Sequence, residues 1–369
     1  MNHENRVKIS NLQFSLLMFS FLYGSSIIIN PATGAGRDAW LAVIISWSGG
    51  LGLITIYIGL SRLNPGQNLI QILLNHFGKY AGGFIAIMYI WYFTHLAALV
   101  TRNFGEFMVA TTYPLTPMPV IIISLILLII YGLRSGLEVI ARVGGELLVP
   151  IIPIPLIIAL IALLPKYDFS SILPALEHGV KPMINAAFGT LIFPFGETVV
   201  FLMIIPHLNK QEKIYKYSYL VFTIICLIFL NNIIRDLSIL GPGLFKRAYY
   251  TPYIIAQLIP NLSFEPLRAI NLFIGVALKT ALCLFAAASG LIQLFKLTNY
   301  KMIASALTVF TAVLAVWIYR NPMEMFSWAV KIWPVYSVPF QIIIPFILLV
   351  ISWVKQRGFP PKTPVPAGR

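Results

Sequence analysis

Two ionisable residues, Glu197 and Lys279, lie deep inside long apolar runs of this chain. The first belongs to Ile184 to Leu208, INAAFGTLIFPFGETVVFLMIIPHL, whose apolar arms are interrupted at mid-length by Phe193-Pro194-Phe195-Gly196-Glu197. In a bilayer Glu197 falls near the midplane, where a charge costs several kcal/mol unless it is paired or solvated. Pro194 lacks an N–H and crowds the preceding turn, while Gly196 relaxes the backbone. Unwound backbone at that depth is tolerated only where protein buries it or where it lines a cavity. The stretch therefore reads as a binding site made from a broken helix. Glu197 has three readings: a proton-coupling carboxylate, an acceptor that braces the break, or a charge neutralised by an intramembrane partner. Lys279 is the candidate partner; it lies about 18 Å along its own helix, slightly past the midplane.

A second interruption, Tyr23-Gly24-Ser25-Ser26, divides LLMFSFL from IIIN. Glycine followed by two serines is poor helix interior. Backbone N–H groups freed around Gly24, Ser25 and Ser26 carry partial positive charge and suit a carboxylate. Carbonyls freed near Phe193, Phe195 and Gly196 suit an ammonium, so the two breaks together match the poles of an α-amino acid. The alternative is that both are packing kinks. Arg102 and Glu106, four residues apart, share a helix face and are expected to pair in a vestibule. Tyr92, Thr94 and His95 are polar interruptions of the same run; each either reaches the pocket or bonds between helices. Thr280 either donates to a ligand or bonds its own helix. No second ligand at metal spacing accompanies His95. Cys226 and Cys283 sit in apolar runs and read as small core hydrophobes. No metal or cofactor is expected.

The elements that position these residues follow from composition. The 369 residues are 59% hydrophobic and 10% charged, with mean hydropathy +0.85. Apolar runs of membrane length recur throughout, so the chain is an all-α polytopic membrane protein. About ten spans of ~20 residues are predicted, near 11–31, 39–61, 83–110, 118–133, 143–164, 184–207, 215–239, 267–295, 302–319 and 334–354. The first apolar run follows a polar N-terminus without a small-residue cleavage site and is expected to stay as a span. Fifteen lysines and arginines fall on the side of the N-terminus and nine on the other. Both termini are accordingly expected in the cytoplasm. The breaks open the first spans of two five-span halves, about 11–164 and 184–354. Halves with odd span numbers have opposite topology, as in inverted-repeat transporters. The whole chain, 1–369, then forms one transmembrane domain.

Between spans, Asn64 to Tyr80 is mildly amphipathic and expected along the membrane surface. Pro31 to Trp40 is a short outer turn. The loops Pro165 to Pro182 and Gly241 to Pro266 are long enough for short covering helices. The basic, proline-rich tail 358–369 is expected to be disordered and cytoplasmic. The formal charge of +14 reflects loops facing anionic lipid rather than nucleic acid, since no basic patch is interleaved with exposed aromatics. No G-x-S-x-G elbow, Walker loop, H-E-x-x-H or Cys/His cluster occurs, so no enzyme is expected.

Several short motifs resemble a known family in order and spacing. They are Arg37-Asp38-Ala39-Trp40, Phe77-Gly78-Lys79, Arg102-Asn103-Phe104-Gly105-Glu106-Phe107 and Leu115-Thr116-Pro117. Gly136-Leu137-Glu138-Val139-Ile140-Ala141-Arg142, Phe195-Gly196-Glu197 and Leu278-Lys279-Thr280 continue the series. Over nearly its whole length the chain resembles the endospore germination permeases, B subunits of GerA-type spore germinant receptors within the amino acid–polyamine–organocation superfamily. The resemblance implies a LeuT-like fold and an amino-acid germinant sensed in a transporter-like core. It also implies a receptor A subunit and a C lipoprotein as partners in the spore inner membrane. Ligand contacts would fall on Gly24 and its neighbours, the sixth-span break, and spans three and eight. In this architecture the eighth span lies against the first break, where sodium-coupled relatives hold an ion; Lys279 would stand there as a fixed or titratable cation. The sequence departs from the family at Glu265-Pro266-Leu267, a stretch usually more charged. Two functions stay open at this level: a receptor that binds without net flux, and a proton-coupled amino-acid permease.

Overall fold

A computed structural model describes residues 8–151, 163–209, 211–258 and 265–358, apart from 25 and 27. Among these the chain is helical, without a β-strand beyond one isolated bridge between Ile9 and Leu208. Among the described residues, eight helical stretches are long and apolar enough to cross a bilayer, and they correspond to predicted spans two, three, four and six to ten. The first span is a shorter regular helix, Asn11–Gly24. The fifth begins at Leu137, six residues before its predicted start, and is helical to Ile151; the stretch 152–162 lies outside the described residues. Most of the tail 358–369 lies outside them too.

The span ends follow local chemistry. Gly136 separates the fourth and fifth spans at φ 98°, a conformation that suits a residue without Cβ. Pro117 and Pro119 stand at the start of the fourth span, where a missing N–H costs nothing. The tenth span departs most from expectation. It starts at Pro322, twelve residues before the predicted boundary, and reaches Arg357 as one continuous stretch. Pro334 and Pro339 fall inside it. The helix absorbs them by widening into π turns at Trp328–Ile332 and Pro339–Ile343.

The amphipathic segment after the second span is a helix, Leu69–Phe77, opened by a reciprocal capping box between Asn68 and Gln71. Its apolar face turns inward: Leu69, Ile70, Ile72 and Leu73 are fully buried, and the helix packs against spans three, eight and ten. Through that face it joins the bundle wall.

Both ends of the described chain lie on one face. Ile9 donates its N–H to the His207 carbonyl at 2.8 Å, Arg62 donates to the Glu212 carbonyl at 3.1 Å, and Gln356 donates to the Leu63 carbonyl at 2.8 Å. On the far face, the expected turn at Pro31 is a 3-10 helix, Pro31–Asp38. It anchors the 163–182 loop: Asp38 accepts the Leu176 N–H at 2.7 Å, and Arg37 pairs with Glu177 at 3.4 Å. That loop holds short 3-10 turns, one capped by Asp168. The Ser170 hydroxyl and N–H both donate to Asp168 and hold its carboxyl below the usual pKa. The 241–266 loop holds the helix Thr251–Gln257.

Spans one and six are central. The first touches spans five, six, seven and eight; the sixth touches spans two, eight and ten. Burying a span on all sides is what allows its backbone to depart from regular helix in an apolar medium.

Candidate functional site

The sixth span is broken at Phe193, within the stretch the sequence marks. The α-helix Val180–Thr190 widens into a π turn, Leu191–Phe195, and then tightens into a 3-10 helix, Gly196–Met203. Phe193 sits at the junction with φ −127°, ψ 112°, outside the helical region. Every residue from Ile192 to Met203 is buried. This geometry carries Glu197 to the inner side of the span, where Lys279 Nζ donates to its Oε2 at 2.5 Å. The two side chains are 1% and 0% exposed. The Lys279 ammonium also faces two rings, 4.8 Å from the centroid of Phe21 and 4.9 Å from that of Phe193. A cation between two π faces and a carboxylate is compensated in a medium that offers it no water. Lys279 thereby joins the eighth span to the first, through Phe21, and to the sixth.

Two of the carbonyls expected to be free at this break have side-chain partners: that of Phe195 accepts the Thr198 hydroxyl at 2.6 Å, and that of Gly196 meets Tyr57. The Tyr57 hydroxyl donates to the Gln341 carbonyl at 2.6 Å and reaches the Gly196 carbonyl at 3.2 Å, clasping the two irregular helices together. Phe195 points away from Lys279: it stacks on Phe222 of the seventh span at 5.3 Å and fills the notch left by Gly50, where a Cβ would fall 2.9 Å from the ring. Tyr57→Phe strands both carbonyls in apolar surroundings. It is expected to cost about 1–3 kcal/mol, read as a lower thermal midpoint of the detergent-solubilised protein. An unchanged midpoint would show that the clasp contributes nothing.

At the first break, helical hydrogen bonding ends at Gly24. The Ser26 hydroxyl donates to the Leu22 carbonyl at 2.5 Å and its N–H bonds Tyr23, so this side chain caps its own helix. Ser25 lies outside the described residues. Gly24 rests on Gly275 of the eighth span so closely that a Cβ on Gly24 would meet the Gly275 carbonyl carbon at 2.6 Å. The expected apposition of first break and eighth span is therefore present, made by two glycines, of which the sequence reading singled out one.

Between the breaks is a small cavity of about 30 Å³. Phe193 and Glu197 wall one side, Ile29 the second, Asn103 of the third span the third, and Trp328 and Trp333 of the tenth the fourth. That volume holds one or two waters and no amino acid. The Trp328 indole N–H finds no hydrogen-bond partner among the described residues, and Trp333 stands beside Glu197.

None of the remaining predicted residues, Tyr92, Thr94, His95, Thr280, Arg102 and Glu106, lines this cavity. Tyr92 is fully buried, stacks on Phe340 at 4.6 Å and accepts from Gln341 at 2.7 Å, so it bonds between helices. Thr94 donates to the Ile90 carbonyl of its own helix at 2.8 Å. His95 stacks on Trp91 and presents its edge to Trp328, next to the cavity wall. Thr280 is buried, and its hydroxyl finds no partner among the described residues. Arg102 pairs with Glu106 at 2.6 Å and also donates to the carbonyls of Ala315 and Val316 at 3.2 and 2.8 Å, capping the end of the ninth span. The pair is buried rather than open to a vestibule.

Sequence reasoning missed Tyr57, Asn103, Gly275, Trp328, Trp333 and Gln341. The two tryptophans had a signal only in retrospect. Five residues apart, they point different ways on an α-helix; across a π turn, where the Trp333 N–H bonds the Trp328 carbonyl, they share the cavity face.

A family model described as "Spore germination protein" matches residues 8–325. The chain belongs to the spore germination permease family. Its relatives include spore germination protein KB of Bacillus subtilis, 30% identical over 95% of this chain and 96% of that one. Spore germination protein A2 of the same organism is 25% identical over 92% of this chain and 97% of that one. Among solved structures, MhsT in complex with L-phenylalanine has a TM-score of 0.66 at 13% identity, covering 95% of this chain and 99% of the other. Mhp1, described as a nucleobase-cation-symport-1 family transporter, has a TM-score of 0.66 at 12% identity over 98% and 97%. Both likenesses cover the whole bundle. The all-α, LeuT-like membrane fold is thus the fold of this germination permease.

Proposed function

We propose that this permease is the germinant-sensing B subunit of a spore germinant receptor, and that it holds an L-amino acid in the central cavity between the two helix breaks. The observation that carries the reading is the cavity wall. Phe193 and Glu197 come from the sixth-span break, and Ile29 from just beyond the first, around a space too small for the ligand. Binding must then push the wall apart, and a ligand that fits only the expanded form shifts the equilibrium toward it. Expansion is the signal that partner subunits would read. MhsT, which shares the fold, is described with an amino acid bound.

The Asn103 amide and the unpartnered Trp328 indole are donors for the ligand carboxylate. Glu197, beside Phe193 and Trp333, is the acceptor its ammonium would share with Lys279. The backbone after Gly24 and before Gly196 completes the contacts, with Tyr92, His95 and Phe340 as supporting wall. The halves 11–164 and 184–354 form the inverted repeat. The face bearing both chain ends is cytoplasmic, by its excess of lysine and arginine. The protein resides in the spore inner membrane with a receptor A subunit and a C lipoprotein, and without enzymatic activity of its own.

The second reading, a proton-coupled amino-acid permease, is favoured by the transporter description of Mhp1, and one experiment separates the two. Purified protein in sealed vesicles is offered a panel of labelled L-amino acids, with and without imposed proton or sodium gradients. Saturable binding that no gradient converts into accumulation is the expected result. Gradient-driven accumulation would make the protein a transporter, and binding of no amino acid in the panel would sink the assigned ligand class.

A further inference from the structure

Beyond the central cavity, on the far face, lies a second and much larger space of about 530 Å³. This is the size of a small-molecule site, whereas the central cavity is the size of a water. The 3-10 helix after the first break closes it on one side, the turn after the seventh span on another, and the first turns of the tenth span on a third. Ile29 lines both spaces, so the larger one is the antechamber of the smaller.

Its charges have one sign. Lys246, Arg247 and Lys331 line it, and among the described residues no carboxylate does. Glu324 of the tenth span accepts the Arg320 N–H at 2.8 Å, and Glu106 of the third span is held by Arg102. Lys246, Arg247 and Lys331 form no salt bridge among the described residues. Three like charges around one concavity repel each other, and the repulsion is relieved when an anion enters. The site also has an apolar side. Tyr249 stacks on Phe326 with centroids 4.0 Å apart, and Tyr250 meets the same ring edge-on at 5.5 Å. Tyr250 holds φ 58°, a left-handed conformation that costs a non-glycine residue free energy. This strained turn keeps both tyrosine rings against Phe326 and leaves Lys246 and Arg247 at the rim.

We infer that this antechamber is a binding site for small organic anions, taking a carboxylate between Lys246, Arg247 and Lys331 with its apolar part against Tyr249 and Phe326. It selects for solutes that present a carboxylate and against cationic amines before they reach the central cavity. The inference stands independently of which ligand the central cavity holds.

The test uses the full-length protein in nanodiscs and benzoate as the probe, with benzylamine and benzyl alcohol as matched cation and neutral controls. Binding is followed by saturation-transfer NMR. Benzoate is expected to bind saturably and the two controls much more weakly. Its affinity should fall when salt is raised from about 0.1 M to about 1 M, as the Debye length shrinks from about 10 Å to about 3 Å. The variant combining Lys246→Gln, Arg247→Gln and Lys331→Gln should bind about tenfold more weakly, since exposed ion pairs are individually weak. All three residues are exposed, so folding should survive, which an unchanged melting curve checks. Glu197→Gln, whose side chain lines the central cavity and not the antechamber, should leave benzoate binding per folded protein intact and so separates the two sites. Equal binding of benzylamine, or benzoate binding untouched by the triple replacement, overturns the proposal. A lipid headgroup carries the same anionic chemistry, so the measurement is repeated in zwitterionic and phosphatidylglycerol-rich discs. Competition that abolishes benzoate binding in the anionic discs would reassign the site to lipid and overturn its role for solutes.

Discussion

Lys279→Ala is expected to produce the largest loss of any single replacement in this protein. It removes the ammonium and leaves Glu197, 1% exposed, as an uncompensated carboxylate in the middle of the bundle. Breaking a buried pair from one side costs about 3–5 kcal/mol, a large part of the stability of an ordinary domain. The variant should therefore accumulate poorly in the membrane and melt early in detergent. Glu197→Gln leaves a buried ammonium, but Lys279 keeps its contacts with Phe21 and Phe193, so its loss should be smaller. The double variant Lys279→Met with Glu197→Gln removes both charges and should recover most of the lost stability. Its germinant response tells structure from function. If the pair only holds spans one, six and eight together, the stable double variant responds. If Glu197 takes part in ligand binding or signalling, the double variant is stable and silent. Wild-type levels and melting of Lys279→Ala would sink the whole account of the pair.

The second large effect belongs to the glycine contact between the first break and the eighth span. At Gly24→Val the new Cβ meets backbone, the Gly275 carbonyl carbon at 2.6 Å, rather than a side chain that can rotate away. Gly275→Ala meets the Gly24 Cα at the same 2.6 Å. Either replacement must force the two spans apart, at a cost of about 1–3 kcal/mol or more for overpacking. Separation also moves Phe21 relative to Lys279, because both sit within one turn of the contact. Thus the variants should lose ligand response by more than their lowered stability explains. Measuring response in variants matched for membrane level checks this. Gly24→Val and Gly275→Ala combined should be no better than either alone, since each adds atoms to the same gap. A normal response in Gly24→Val would mean that the contact is not fixed during signalling.

Much of this protein was legible from one sequence because a bilayer limits what a chain can do. Runs of apolar residues with no water to solvate their backbone must be helices, which placed the second, third, fourth, sixth, eighth and ninth spans within a few residues. An acid and a base buried in such runs need one another, and Glu197 and Lys279 do meet. The breaks at Gly24 and at Phe193 to Gly196 were marked by residues that weaken helices wherever they stand. What the sequence could not supply is how each departure from the α-helix is resolved. The tenth span continues through Pro334 and Pro339 because π turns absorb them, and the same turns bring Trp328 and Trp333 to the cavity. The break carbonyl at Gly196 looked free in sequence and is taken by Tyr57, which stands 139 residues away. Gly275 and Asn103 carry no local signal at all; their meaning comes only from what lies across from them. Solvent polarity and local propensity are properties of a stretch of chain and can be read along it. Partnership is a property of pairs distant in sequence, and only the packing of spans one, three, six, eight and ten decided it.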